Sequence, residues 1–268
     1  AGRGTGVTGI PTGFTDLDIR TTGLQPANLI IIASRPSMGK TAFACNIALN
    51  LLSVKPTPGI LIFSLEMSKE ELVHRMLCAE AKVNLLRVRQ GMLNDRERGE
   101  LLMAGARLAE APIFIDDSAN LSVFEVRARA RRIKSKENIG LIIVDYLQLL
   151  EPHLDKRQTM ERNVSDAARK FVVEAQRLDC HIVLLAQMNA EGAAKWSGQT
   201  NDDCHVNWRV MRTDHTGSPE PDGEYFKFHI EQRFGVSGVV PRLYRYYGAT
   251  GRIEETNINP LPVRGGGR

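Results

Sequence analysis

Apolar residues in this chain fall into short unbroken runs separated by longer amphipathic stretches. Asn28-Leu-Ile-Ile-Ile-Ala33 is bounded by turn residues and predicts a strand buried on both faces, as in a parallel sheet. Ile60-Leu-Ile-Phe63, Leu141-Ile-Ile-Val144 and His181-Ile-Val-Leu-Leu-Ala186 repeat the pattern, with a shorter run from Pro112 to Ile115. Between the runs the period is helical: Ala42 to Leu52, Lys69 to Ala81, Asp95 to Ala109, Val123 to Lys134 and Ser165 to Leu178. Strand and helix alternate, which predicts an α/β fold with a mainly parallel sheet flanked by helices. Tyr225 to Glu231 alternates instead, with Phe226, Phe228 and Ile230 on one face and Lys227, His229 and Glu231 on the other. With the run Arg242 to Tyr247 it predicts an antiparallel hairpin at the C-terminal end of the sheet.

The remaining segments set the expected boundaries. Residues 1–20 read as a flexible lead-in, with Thr15 and Asp18 spaced as a helix start. Residues 21–259 read as one domain, and 260–268 as a disordered tail. Residues 190–223 are rich in Gly, Asp, Thr and Asn and read as a long loop, a frequent place for function.

Composition narrows the class. With 43% hydrophobic and 25% charged residues the 268-residue chain is too apolar to be disordered, and no apolar run reaches the length of a membrane span. The four cysteines form no C-x-x-C pair, so neither a zinc site nor a disulfide framework is expected, and a reduced, cytoplasmic setting is the expectation. A net charge of +4 is too mild to establish a nucleic-acid partner. The start at Ala1 rather than Met points to a processed product or a piece of a longer chain.

Ser34-Arg35-Pro36-Ser37-Met38-Gly39-Lys40-Thr41 lies directly between the first strand and the first helix. It matches the phosphate-binding P-loop except that Ser34 stands at the usual first Gly. Backbone N–H groups at a helix start bind phosphate oxygens, Gly39 allows close approach, Lys40 supplies a charge and Thr41 a hydroxyl for Mg²⁺. Leu141-Ile-Ile-Val-Asp145 ends an apolar strand in a carboxylate, the Walker B pattern, with Asp145 as the second metal residue. Two further strands end in Glu66 and Gln187, and ligands of parallel sheets bind beyond the carboxyl ends of the strands. Glu66 is placed either to activate the attacking water or to cap the following helix. Gln187 is placed either to sense the γ-phosphate or to sit as a satisfied buried amide.

These motifs, in this order, resemble the C-terminal RecA-like motor domain of DnaB-type replicative helicases. The resemblance runs from about Gly9 to Asn189 and rests on Thr8 to Asp18, Ala33 to Thr41, Phe63-Ser-Leu-Glu-Met-Ser68 and Asp116-Asp-Ser118 with Val126 to Arg132. Val144-Asp-Tyr-Leu-Gln-Leu-Leu150 and Gln187-Met-Asn189 complete it. The resemblance implies an ATP- and Mg²⁺-dependent DNA helicase of replication, a hexameric ring moving 5′ to 3′ on single-stranded DNA. It implies Glu66 as catalytic base, Gln187 as γ-phosphate sensor, and primase and a helicase loader as partners through an N-terminal domain this chain lacks. Glu231-Gln-Arg-Phe-Gly235 resembles the family's Lys-Gln-Arg-Asn-Gly stretch, so Arg233 takes the arginine-finger role on a neighbouring subunit, with a solvated edge-strand arginine as the other reading. Glu231 reverses the charge of the family's Lys. In the divergent stretch Ala194 to Cys204, Lys195, Trp196 and Gly198 are the candidates for DNA contact, against a plain surface loop. The basic residues Arg127, Arg129, Arg131, Arg132 and Lys134 read as a solvated face or subunit interface before DNA contact. Two other functions stay open: a RecA-superfamily ring ATPase with a recombinase-like or regulatory role that does not unwind DNA, and a recruiting module with a residual nucleotide site. The intact set Lys40, Thr41, Glu66 and Asp145 argues against the last.

Overall fold

The computed structural model describes residues 7–150, 160–188, 205–220, 223–232 and 237–259, with the main chain alone over 160–165. Among the described residues, ten strands form one sheet: β1 (Leu29–Ser34), β2 (Gly59–Ser64), β3 (Ile113–Asp116), β4 (Ile139–Asp145), β5 (His181–Gln187), β6 (Val206–Thr213), β7 (Tyr225–Gln232), β8 (Gly238–Val239), β9 (Tyr244–Tyr247) and β10 (Arg252–Glu255). The order is β10-β9-β7-β6-β1-β5-β4-β2-β3, with β8 beside β7. From β3 to β6 all neighbours are parallel, and from β6 through β7, β9 and β10 they are antiparallel. The helices are α1 (Thr15–Thr21), α2 (Lys40–Leu51), α3 (Lys69–Ala81), α4 (Leu85–Arg89), α5 (Asp95–Ala109), α6 (Val123–Lys134) and α7 (Met160–Leu178). Among the described residues, no helix is long and apolar enough to cross a membrane.

The unbroken apolar runs are explained by cover on both faces. In β1, Ile30 and Ile32 join one core with Phe14, Phe43 and Met76, while Leu29, Ile31 and Ala33 join a second core with Val126, Ala168 and Phe171. Successive side chains point to opposite faces, so a strand between two helix layers needs apolar residues at every position.

Three expectations are corrected. The 190–223 stretch is not one loop, because β6 runs through it and pairs with both β1 and β7. Val206, Trp208 and Val210 face the first core and alternate with Asn207 and Arg209, a strand pattern that the loop reading of the surrounding Gly- and Asp-rich residues passes over. The lead-in is not free over its described part: Ile10 bridges Leu24, and Phe14 and Leu17 are fully buried. Thr15 and Asp18 do not form a capping pair. Phe14 holds the N-cap position, and the Asp18 carboxylate accepts hydrogen bonds from Thr12 N, Thr12 Oγ1 and Gly13 N. The tail 260–268 lies outside the described residues.

Candidate nucleotide site

The crevice at the carboxyl edge of the sheet starts where β1 gives way to α2. Gly39 is the N-cap of α2 and brings no side-chain acceptor, so the first N–H groups of that helix are left for an anion. Ser37 and Gly39 both have positive φ, 61° and 85°, which turns successive N–H groups of the loop to one side. A Cβ at Gly39 would lie 2.6 Å from Cζ of Phe226 on β7, so the antiparallel strand presses on the loop from behind. Ser34 closes β1 and is buried, while Arg35, Pro36 and Ser37 are exposed and Met38 is half-buried.

Strand register brings the other groups to the same edge. Ser34 pairs with Gln187, and Ser64 pairs with Asp145. The Thr41 hydroxyl donates to Asp145 Oδ2 at 2.6 Å. Lys40 Nζ lies 3.9 Å from Asp145 Oδ1 and 3.8 Å from Glu66 Oε2. The same ammonium sits 4.5 Å above the ring of Tyr146. Asp145 is 3% exposed, and burial pushes its carboxyl up; the Glu66 charge adds to this, while the Thr41 hydroxyl and Lys40 pull against it. Its Oδ1 is buried without a hydrogen-bond partner. A buried carboxylate oxygen that accepts no hydrogen bond, with an ammonium 3.9 Å away, costs free energy that a divalent cation with phosphate would recover. Thr41 and Asp145 are therefore a fitting donor pair for Mg²⁺.

Glu66 stands in the loop between β2 and α3 with its side chain half exposed. It does not cap α3. Ser68 does, its hydroxyl accepting from Glu71 N at 3.2 Å. Gln187 ends β5, and its main chain is gripped on both sides by Gln148: Gln148 Nε2 donates to Gln187 O at 2.9 Å, and Gln187 N donates to Gln148 Oε1 at 3.3 Å. So Lys40, Thr41, Glu66 and Asp145 meet in one crevice with Gln187 on the neighbouring strand end. Arg233, Lys195, Trp196 and Gly198 lie outside the described residues. Tyr146, Gln148 and Phe226 were not among the expected site residues. Tyr146 and Gln148 follow Asp145 directly, and that adjacency was the available signal; Phe226 is brought in by tertiary pairing alone.

The basic run on α6 is largely occupied within the chain. Arg127 pairs with Glu174 at 3.3 Å, Arg129 with Asp116 at 2.8 Å, and Lys134 Nζ donates to the carbonyls of Ile139 and Asp179. Arg131 and Arg132 are exposed.

Comparison with known proteins follows the same lines. The family model for the DnaB-like helicase C terminal domain matches residues 9–197. The replicative DNA helicase DnaB of Geobacillus stearothermophilus is 35% identical over 271 residues, covering 95% of this chain and 60% of that protein. The replicative DNA helicase DnaC of Bacillus subtilis (strain 168) is 44% identical over 183 residues, covering 68% of this chain and 40% of that protein. Among solved structures, a chain described as an ATPase domain superposes with a TM-score of 0.83 at 28% identity, covering 94% of this chain and 93% of that one. A DnaB-like replicative helicase, described with its interactions with primase, superposes with a TM-score of 0.82 at 28% identity, covering 92% of this chain and 62% of that one. The chain thus spans between two fifths and three fifths of the length of the two DnaB and DnaC relatives.

Proposed function

The chain belongs to the DnaB-like helicase C-terminal domain family, and from that premise we propose that it is the ATP-hydrolysing motor of a replicative DNA helicase. The observation that carries the proposal is the meeting of Lys40, Thr41, Glu66 and Asp145 at the carboxyl edge of a RecA-like sheet. Lys40 and the N-terminus of α2 hold the β- and γ-phosphates of ATP. Thr41 and Asp145 hold Mg²⁺, which supplies charge neutralisation for the transferring phosphoryl group. Glu66 orients the attacking water and takes its proton, and Gln187 meets the γ-phosphate side of the crevice.

Strand direction supports a site completed by a second subunit. Gln232, the residue before Arg233, pairs with Val206, and Val206 aligns with Ile30 at the start of β1. The P-loop begins after Ser34, at the other end of that strand. Four residues of strand separate the two levels by about 13 Å. Gln232, the last described residue before Arg233, thus lies at the end of its strand away from the phosphate loop, which favours a role for Arg233 on a neighbour in a ring. Single-stranded DNA, a hexameric assembly and 5′ to 3′ movement are the remaining parts of the proposal, and Lys195, Trp196 and Gly198 are its DNA-contact candidates.

The test is steady-state ATP hydrolysis with and without single-stranded DNA at several protein concentrations and two salt concentrations. Salt-sensitive stimulation that rises cooperatively with protein is expected, with turnover lost in Lys40→Ala and with ATP bound but not turned over in Glu66→Gln. Arg233→Ala is expected to recover activity when mixed with Glu66→Gln subunits. Hydrolysis indifferent to DNA at every protein concentration would replace the helicase reading with that of a non-unwinding ring ATPase.

A further inference from the structure

Glu66 has a weakly held side chain in a firmly held backbone. Among the described residues no hydrogen bond grips its carboxylate; it lies 3.8 Å from Lys40 and is half exposed. Its position is therefore set by the main chain of the segment between β2 and α3. That segment is tied at both ends. At its start, Leu65 N donates to Asp145 O at 2.7 Å, and the buried Ser64 hydroxyl donates to Met67 O at 2.7 Å. At its end, the N–H of Lys69, the first residue of α3, donates to Asp117 Oδ2 at 2.9 Å.

Asp117 comes from a different part of the sheet. It follows β3, the edge strand, and its neighbours are fixed by α6. Arg129 Nη1 donates to both oxygens of Asp116, at 3.0 and 2.8 Å, and to Ser118 Oγ at 2.6 Å. Ser118 N closes the turn onto Asp116 Oδ1 at 3.1 Å. Burial raises the Asp116 carboxyl, but Arg129 and Ser118 outweigh it and hold the group below its usual range, so it stays ionised against Arg129. The turn that presents Asp117 is thereby tied by four hydrogen bonds, and a carboxylate at a helix N-terminus is favourably placed.

We propose that Asp117 is a positioning residue for Glu66: by holding the Lys69 N–H from the end of β3, it fixes the start of α3 and with it the reach of Glu66 into the crevice. The inference rests on the reading of Glu66 as the residue that activates water. Asp117 acts through the Lys69 N–H and is not one of the residues proposed to hold nucleotide or metal, so its loss should change turnover and leave nucleotide affinity alone.

The experiment compares Asp117→Ala and Asp117→Asn for kcat, KM for ATP, and binding of a fluorescent ATP analogue. A displacement of about 1 Å at a reacting group costs up to roughly 100-fold. Asp117→Ala is expected to lower kcat between about 5- and 100-fold with nucleotide affinity unchanged. Asp117→Asn keeps an acceptor oxygen and is expected within about two-fold of the parent. In a Glu66→Gln background Asp117→Ala is expected to have no further effect on the residual rate, because no base is left to position. Unchanged kcat in Asp117→Ala, an equal loss in the Glu66→Gln background, or a parallel loss of nucleotide affinity each overturns the inference. Should Asp117→Ala fail to fold, Lys69→Pro removes the same donor at a helix position where proline is tolerated, and Ser68 before it is already extended at φ −64°, ψ 154°. Lys69→Pro is then expected to show the same selective loss of kcat, and parent-like kcat would overturn the inference. Full turnover in Glu66→Gln would instead remove the reading of Glu66 itself, whatever Asp117 does.

Discussion

Gly39→Ala probes the point where the phosphate loop and the antiparallel half of the sheet touch. Two costs are separable. Alanine at φ 85° occupies the left-handed region, which costs an L-residue about 1–2 kcal/mol. The added Cβ would also stand 2.6 Å from Phe226 Cζ and 3.3 Å from its Cε1. Phe226 is fully buried, with Tyr246 at 5.0 Å and Phe228 at 6.2 Å between ring centroids, so its ring has nowhere to withdraw. Overpacking of that kind costs about 1–3 kcal/mol. The sum is about 2–5 kcal/mol, a fall in melting temperature of roughly 4–20 °C at the sensitivity usual for chains somewhat shorter than this one. The assay is a double-mutant cycle with Phe226→Leu, followed by denaturant unfolding. Leucine removes Cζ, so in that background Gly39→Ala should cost only the backbone part, about 1–2 kcal/mol. Additivity of the two substitutions within about 0.5 kcal/mol would refute the contact, and a Gly39→Ala variant as stable as the parent would refute both costs.

Other consequences are open to measurement. Asp145 has a raised folded-state pKa, so the folded state binds its proton more tightly than the unfolded state. Its contribution to stability is greatest in acid and is lost as pH rises from about 4 through the raised value. Asp145→Asn should remove that slope from the pH dependence of the melting temperature, and an unchanged slope would contradict the assignment. His181 is the opposite case. Burial outweighs its hydrogen bond to Gln25 O and lowers its pKa, so its contribution is present above about 6.5 and is lost as pH falls through the lowered value, a slope that His181→Asn should flatten. Asn46 is fully buried and joins α2 to the last strands, donating to Ala42 O and Gly251 O and accepting from Ile253 N. Asn46→Ala leaves buried groups unpaired and should cost about 2–4 kcal/mol by denaturant titration.

What the sequence shows and what it hides follow from where each constraint originates. The strands carrying Ser34, Ser64, Asp145 and Gln187 are covered on both faces, so nearly every position in them is apolar and the runs are legible without alignment. The helices from Lys69, Asp95 and Val123 begin where they are expected because local caps set them: Ser68, Asn94 and Ser122 each accept from the main chain three residues on. β6 is different. Its partners lie far away in the chain, on β1 and β7, and its short alternation from Val206 to Val210 is set among Gly-, Asp- and Thr-rich residues that read as loop. The Thr15–Asp18 spacing misleads for a related reason. Asp18 is drawn backwards to Thr12 and Gly13, where a buried loop needs an acceptor more than a solvated helix start does. Of the candidate site, residues on strand ends were legible because topology puts all parallel strand ends on one edge. Tyr146 over Lys40 is signalled only by its place next to Asp145, and Phe226 behind Gly39 depends on tertiary approach and carries no local signal.

The reversal of strand direction between β6 and β7 has a functional consequence. As far as β6 every strand of the parallel run ends at the nucleotide edge, so any polar residue closing one is available to the chain's own site. β7 runs the other way, and its last residue, Gln232, pairs with Val206 at the amino edge instead. In the proposed mechanism Arg233, the next residue in the chain, acts on the nucleotide of another copy, and this makes assembly a condition of turnover. Glu231, whose negative charge is at odds with its family's lysine, is met across the strands by Arg209 at 2.7 Å, with His229 at 3.7 Å. Glu231 is thus part of an ion pair rather than a bare carboxylate, and its charge does not by itself argue against the proposed finger two residues later.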